Sequence, residues 1–167
     1  MVTAVTPDSF RQVMRHLPTG VAVVTAAGAE GPLGLAVGSF VSVSLEPPLV
    51  GFFVARTSTT WPRIGPLGRF CVNVLGEDGE GTSRAFAVSG GDKFGGVTWS
   101  DSPLGSPVLD GALAWFDCTT HSVTDAGDHV LVLADVHELG VADAGRPLIF
   151  CHGTYQRLGP HPSTSRV

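Results

Sequence analysis

The chain has 167 residues, of which 43% are hydrophobic and 15% charged, with a formal net charge of −5. That length suits one domain, and the apolar share is enough for a core or for a core plus a subunit interface. No Lys/Arg cluster is present, so the electrostatic footprint of a nucleic-acid binder is missing, and no apolar run approaches the roughly 18 to 20 residues a membrane helix needs.

The N-terminal stretch MVTAVTPDSFRQVMRHLPTG is too polar for a secretory signal, which predicts a soluble cytoplasmic protein. Within it, Phe10, Val13, Met14 and Leu17 recur at helical spacing after Pro7, Asp8 and Ser9, so a short amphipathic helix opens the domain. Pro18 and Gly20 end it. Strand-like runs follow at 20–26 and 34–43 around a turn at 28–32, then at 49–55 after Pro47 and Pro48, and at 69–75. Residues 58–64 and 79–88 have the pattern of short helices. Residues 89–107 read as a loop, with GGDKFGG as a flexible turn and Trp99 as an isolated anchor. Three more strands are expected at 114–123, 129–139 and 148–158, with Gly127 and Asp128 making a hairpin turn between the first two.

About seven strands with few helices indicate an antiparallel barrel or sandwich, and a barrel has the advantage of removing exposed edges. Residues 1–158 form the domain, and the polar, Pro-rich tail GPHPSTSRV at 159–167 is expected to be disordered. The cysteines, Cys71, Cys118 and Cys151, all lie in apolar alternating segments, which predicts three buried free thiols.

The segment GLAVGSFVSVSLEPP at 34–48 interrupts a core-like strand with small residues and hydroxyls. Gly34, Ala36, Gly38 and Ser39 leave the backbone open to a flat ligand, and Ser42 and Ser44 share a face by the two-residue strand period. The same spacing also fits a glycine-bulged strand with solvent-facing serines.

Next, ARTSTTWPRI at 55–64 puts Arg56 and a run of hydroxyls, including Ser58, Thr59 and Thr60, at a strand end just before a helix. That is a donor set for an anion, and equally a helix cap beside a solvated arginine. His129, at the start of a strand beside the turn, is placed to donate a hydrogen bond to a carboxamide or phosphate; packing as a turn histidine is the alternative. Lys93 and Phe94 sit in the flexible loop, where they either cover a ligand edge or stay solvated.

Other chemistries fit poorly. GTSRA at 81–85 imitates a nucleophile elbow, but the strand before it ends near Leu75. The histidines His16, His121, His129, His137, His152 and His161 lie on separate elements without HxH, HExxH or paired CxxC, so no metal site is expected. GxGxxG and P-loop patterns are absent, so no Rossmann fingerprint holds a dinucleotide.

Taken in order, FRQVMRHLPTGVAVVTA, GLAVGSFVSVSLEPPLV, CVNVL, AFAVSGGDKFGGVTW, GSPVLDGALAWFDC, GDHVLVLADV and PLIFCHGTYQRL resemble the flavin reductases with an FMN-binding split barrel. Those proteins are the reductase components of two-component flavin monooxygenases. The resemblance implies a mainly β fold, a six-stranded antiparallel split barrel with Greek-key features, paired as a homodimer. It implies NADH, with NADPH as the alternative donor, reducing FMN or FAD for a partner monooxygenase. It places Leu35, Ala36, Val37, Gly38, Ser39 and Phe40 along the isoalloxazine, with Ser42 and Ser44 nearby. Arg56, Ser58, Thr59 and Thr60 would meet the ribityl phosphate, and Lys93 and Phe94 would approach the flavin. His129 would be the catalytic-site histidine where NADH docks, with Tyr155 a further candidate.

Family members often carry threonine and serine or asparagine where this chain has Ala36 and Gly38, so a backbone contact stands in for a side-chain bond. Two other readings belong beside the reductase: a flavin carrier without reductase activity, and a split-barrel oxidase resembling pyridoxamine phosphate oxidases. The GDH and SVSLEPP segments argue against the oxidase.

Overall fold

The computed structural model describes residue 2 and residues 4–159. Residues 160–167, most of the tail expected to be disordered, lie outside the described residues. The first helix, α1 (Pro7–Met14), begins earlier than its hydrophobic spacing indicates, because Thr6 and Ser9 form a reciprocal cap and Pro7 occupies the first turn. None of its residues is buried.

The strands then run β1 (Thr19–Gly20), β2 (Ala22–Gly28), β3 (Gly31–Val37), β4 (Val41–Leu45) and β5 (Pro48–Ala55). After α2 (Trp61–Ile64) and a 3-10 turn come β6 (Arg69–Leu75) and α3 (Glu80–Ala87). The remainder is β7 (Trp99–Asp101), β8 (Pro107–Leu109), β9 (Ala112–Ala126), β10 (His129–Val141), β11 (Ile149–Cys151) and β12 (Thr154–Gln156). No helix among the described residues is long and apolar enough to cross a membrane.

The principal sheet is antiparallel, with seven strands in the order β3-β2-β6-β9-β10-β5-β4. Laid flat, its outer strands would stand roughly 29 Å apart, six gaps of about 4.8 Å. Yet β3 and β4, its two edges, are joined only through residues 38–40, a link that reaches roughly 13 Å. The sheet must therefore roll. Its opposed edges are tied by Ser39, whose hydroxyl accepts from the Phe53 amide at 2.9 Å and donates to the Phe53 carbonyl at 3.2 Å. The run predicted as one strand over 34–43 is thus two strands separated by a corner, and the sheet counts seven strands rather than six.

Two clusters of apolar side chains flank β2, which is why Ala22 to Ala26 are all buried and read as a continuous apolar run. Val24, Phe52, Phe70, Val72 and Val132 fill the inside of the roll. Val23, Leu75, Phe86, Phe94 and Leu148 pack outside it, beneath α3 and the 89–98 loop. Each such side chain contributes about 1.5–3 kcal/mol on burial.

The stretch predicted as a loop over 89–107 instead ends in the β7–β8 ribbon. Buried Asn73 fixes it: its side-chain carbonyl accepts from the Leu109 amide at 2.8 Å, and its amide group donates to Thr25 Oγ1 at 3.0 Å and to the Pro107 carbonyl at 3.3 Å. Such buried polar groups are costly unless paired, so the network sets the position of the ribbon. Cys71 and Cys118 are buried free thiols, whereas Cys151 is only half-buried. Burial pushes the Cys118 thiol up to about 12 and Cys71 higher still, which keeps both unreactive.

Candidate functional site

A cavity of about 460 Å³ opens where β3 leaves the sheet, between the end of β5, the C-terminal end of α3 and the β9–β10 hairpin. Leu35, Ala36, Val37, Gly38 and Ser39 form one wall. Thr57, Ser58, Thr59, Thr60 and Lys93 line a polar end, and His129 lines another part of the rim. Residues from sequence-distant segments therefore converge on one concavity of the size that small-molecule ligands occupy.

The polar end is built around Lys93. Its ammonium donates to the Gly34 carbonyl at 3.1 Å, to Thr60 Oγ1 at 3.2 Å and to the Phe86 carbonyl at 3.4 Å, joining β3, the approach to α2, and α3. Partial burial holds its pKa below the ordinary lysine value. Ser58 Oγ accepts from the Trp61 amide at 3.1 Å, so Ser58 satisfies the first amide of α2 as well as lining the cavity, and among the described residues its O–H has no acceptor.

His129 begins β10 one residue beyond Gly127, whose φ of +66° makes the hairpin turn with Asp128. Its Nδ1 lies 2.7 Å from Asp128 Oδ1. An ionised carboxylate only accepts, so Nδ1 carries a proton and Nε2 is left for a ligand. The bond to His129 in turn holds the Asp128 carboxyl below the usual carboxylate range.

Several residues singled out in the sequence lie elsewhere. Arg56 turns away from the cavity: its Nη2 is 2.6 Å from Asp125 Oδ1 and its Nε donates to the Gly127 carbonyl at 3.0 Å. Neutralised by that carboxylate, Arg56 braces the hairpin that carries His129. Ser42 and Ser44 do not line the cavity and do not share a face, because a bulge pairs them with Val50 and Leu49, adjacent residues of β5 that point opposite ways.

Phe40 packs on Phe116 at 5.3 Å, against the core. Phe94 stacks between Phe86 at 4.9 Å and Trp99 at 5.2 Å, so the loop is pinned by an aromatic column and Phe94 does not line this cavity. Tyr155 sits behind the 36–38 wall, with its hydroxyl 2.8 Å from Ser83 Oγ and the Arg84 guanidinium over its ring.

Gly34 is small for a reason the sequence did not disclose. A Cβ there would run into the Phe86 ring, so the residue makes room for that ring. Sequence reasoning also missed Phe53, Val54 and Ala55 and the 86–89 segment, which line the cavity. An apolar strand end and the last turn of a helix carry no distinguishing pattern.

A curled antiparallel sheet with a cleft at its corner offers a concave site for a small molecule. The chain matches the flavin reductase like domain over residues 14–159 and belongs to that family. It is 47% identical over 154 residues to a flavin reductase of Pseudomonas putida, covering 92% of this chain and 91% of that one. It is 42% identical over 166 residues to HsaB, the reductase subunit of a flavin-dependent monooxygenase from Mycobacterium tuberculosis, covering 98% and 89%. Among solved structures, the NADH:FAD oxidoreductase SgcE6 of Streptomyces globisporus C-1027, in complex with NAD and FAD fragments, superposes with a TM-score of 0.90 at 34% identity, covering 97% of this chain and 100% of that one.

Proposed function

We propose that this protein is an NAD(P)H-dependent flavin reductase that uses FMN or FAD, with NADH as the expected donor, and delivers reduced flavin to a separate monooxygenase. The carrying observation is the convergence of the 35–39 backbone, the 57–60 hydroxyls with Lys93, and His129 on one cavity. The donor set fits a phosphorylated flavin: in an acidic chain, Lys93 and the threonine hydroxyls supply the local positive charge and O–H donors a phosphate needs. The wall at Leu35, Ala36, Val37 and Gly38 supplies a flat apolar surface with backbone groups for the polar rim of an isoalloxazine.

A bound flavin supplies the chemistry, accepting at N5 the hydride released from nicotinamide C4. The chain positions the two ring systems. The Ser39 hydroxyl spends its donor on the Phe53 carbonyl, which fixes the corner on which the wall bends and leaves it only acceptor capacity toward a ligand. His129 would present Nε2 to the carboxamide of the nicotinamide, with Asp128 holding a proton on Nδ1. No side chain transfers a proton in the hydride step, so catalysis is placement.

The reading extends to a cytoplasmic homodimer. Val41, Val43 and Phe53 are exposed apolar residues, and Val43 and Leu133 approach each other over Gly51 on the outer side of the sheet. Phe53 also lines the cavity, so a second copy seated there would border the site.

The test is oxidation of NADH by the purified protein with excess FMN or FAD, followed by nicotinamide absorbance against a blank without protein. Turnover above the blank is expected. Its absence, with flavin still bound, would leave a carrier and overturn the reductase reading. Sedimentation velocity reads the oligomeric state.

A further inference from the structure

A second cavity, of about 420 Å³, adjoins the first. Thr59, Thr60 and Lys93 line both, so the proposed phosphate position is a shared wall, while Arg63, Glu30, Gly90, Gly91 and Asp92 line only the second. FMN ends at its phosphate; FAD continues through a second phosphate to ribose and adenine. The volume beyond Lys93 therefore lies where only the longer flavin has atoms.

Its lining suits those atoms. Arg63 is exposed on α2, and among the described residues its guanidinium has no ion pair or hydrogen-bond partner, which leaves it free for a second phosphate. The Glu30 carboxylate is equally uncommitted and is an acceptor for ribose hydroxyls or an adenine amine. Gly90 and Gly91, at φ of +76° and +75°, carry no side chain over the opening. Asp92 is used locally, its Oδ1 accepting from the Phe94 amide at 3.2 Å, so it shapes the wall and does not compete for Arg63.

We propose that this second cavity is an adenylate subsite and that FAD is in consequence the preferred flavin. The inference rests on the first cavity being the flavin site. The same adenylate chemistry belongs to NADH, but the shared wall at Lys93 and Thr60 joins the subsite to the phosphate end of the flavin.

The experiment titrates the full chain with FAD and with FMN, without nicotinamide, by flavin fluorescence. FAD should bind at least about tenfold more tightly, the scale of one charge-assisted contact to phosphate. Arg63→Glu, on an exposed position that spares the core, should cost FAD about tenfold or more and shift FMN less than about twofold; Arg63→Lys should recover part of the loss. The KM for NADH, measured with FMN as acceptor, should not move.

Equal affinities for the two flavins, or parallel losses of both in Arg63→Glu, would overturn the subsite while leaving the flavin site intact. A rise confined to the KM for NADH would reassign the adenylate to the nicotinamide donor and overturn the FAD preference. Binding of neither flavin would remove the parent reading and this one together.

Discussion

At one end of the first cavity a lysine ammonium is tied to oxygens from three separate elements; at the other an imidazole leans on a single carboxylate of its own chain neighbour. The lysine is partly withdrawn from water, whereas Asp128 is 94% exposed. The first arrangement is over-determined, since moving Lys93 breaks contacts to β3, to Thr60 and to α3 together. The second can swing at little cost. For a reductase of the kind proposed, the flavin phosphate would meet the rigid end and the nicotinamide donor the softer one.

The largest effect is expected from breaking the rigid end at its packing. Gly34→Ala puts a methyl group into the Phe86 ring, and Phe86 cannot retreat freely because it is 1% exposed and stacked on Phe94. Overpacking of this kind costs about 1–3 kcal/mol, and for a chain of this size about 2–4 °C of Tm per kcal/mol. Since the Gly34 and Phe86 carbonyls also hold Lys93, flavin affinity should drop along with Tm. Thermal unfolding with a flavin titration reads both; an unchanged Tm would show that the ring yields.

Next comes the charge itself. Lys93→Met should weaken flavin binding about tenfold or more, roughly 1.4 kcal/mol upward, without the packing defect of Gly34→Ala. A pH series sharpens the assignment. Burial lowers the Lys93 pKa, so the ammonium is lost at a lower pH than an ordinary lysine loses it, and flavin affinity should decline as pH rises through that point. Stability should move the other way: a lowered lysine pKa means the folded state binds fewer protons, so this group's contribution improves as pH rises. Lys93→Arg, always charged, should flatten the alkaline decline. An identical decline in Lys93→Arg would assign it to another group.

How far these parts were readable beforehand depends on how local their causes are. The β6 strand matches its expected limits, 69–75, and the hydroxyls at 58–60 and the turn histidine were visible because each is set by adjacent residues, whereas Thr57 was passed over. Arg56 was misplaced, and Phe94 lines the second cavity rather than the first, because their positions are decided at a distance. Asp125 captures Arg56 from across a hairpin, and Phe94 is drawn into a column completed by Phe86 and Trp99. The corner at 38–40 escaped notice for a related reason: it exists because the two edges of a rolled sheet must meet, a constraint absent from any local window. Similarly, the helical spacing of Phe10, Val13, Met14 and Leu17 marks an amphipathic helix, but does not show that all four remain exposed in the isolated chain.

The smallest effects belong to the soft end, and they separate the two ends most cleanly. His129→Ala removes one hydrogen-bonding group from the rim and should raise the KM for NADH about two- to tenfold, the scale of a single net hydrogen bond, while flavin affinity stays level. Asp128→Asn should do less, because the imidazole remains and only the group fixing its tautomer changes. Its signature lies in acid. The Asp128 carboxyl is held below the usual range chiefly by its hydrogen bond to His129, so whatever the pair contributes is present above the unfolded carboxyl pKa and fades as pH falls through the folded one. Wild type and Asp128→Asn should therefore differ in KM at neutral pH and converge in acid, whereas His129→Ala stays apart from both. If Asp128→Asn changed flavin affinity as strongly as Lys93→Met, the two ends would be one mechanical unit and the contrast between them would fail.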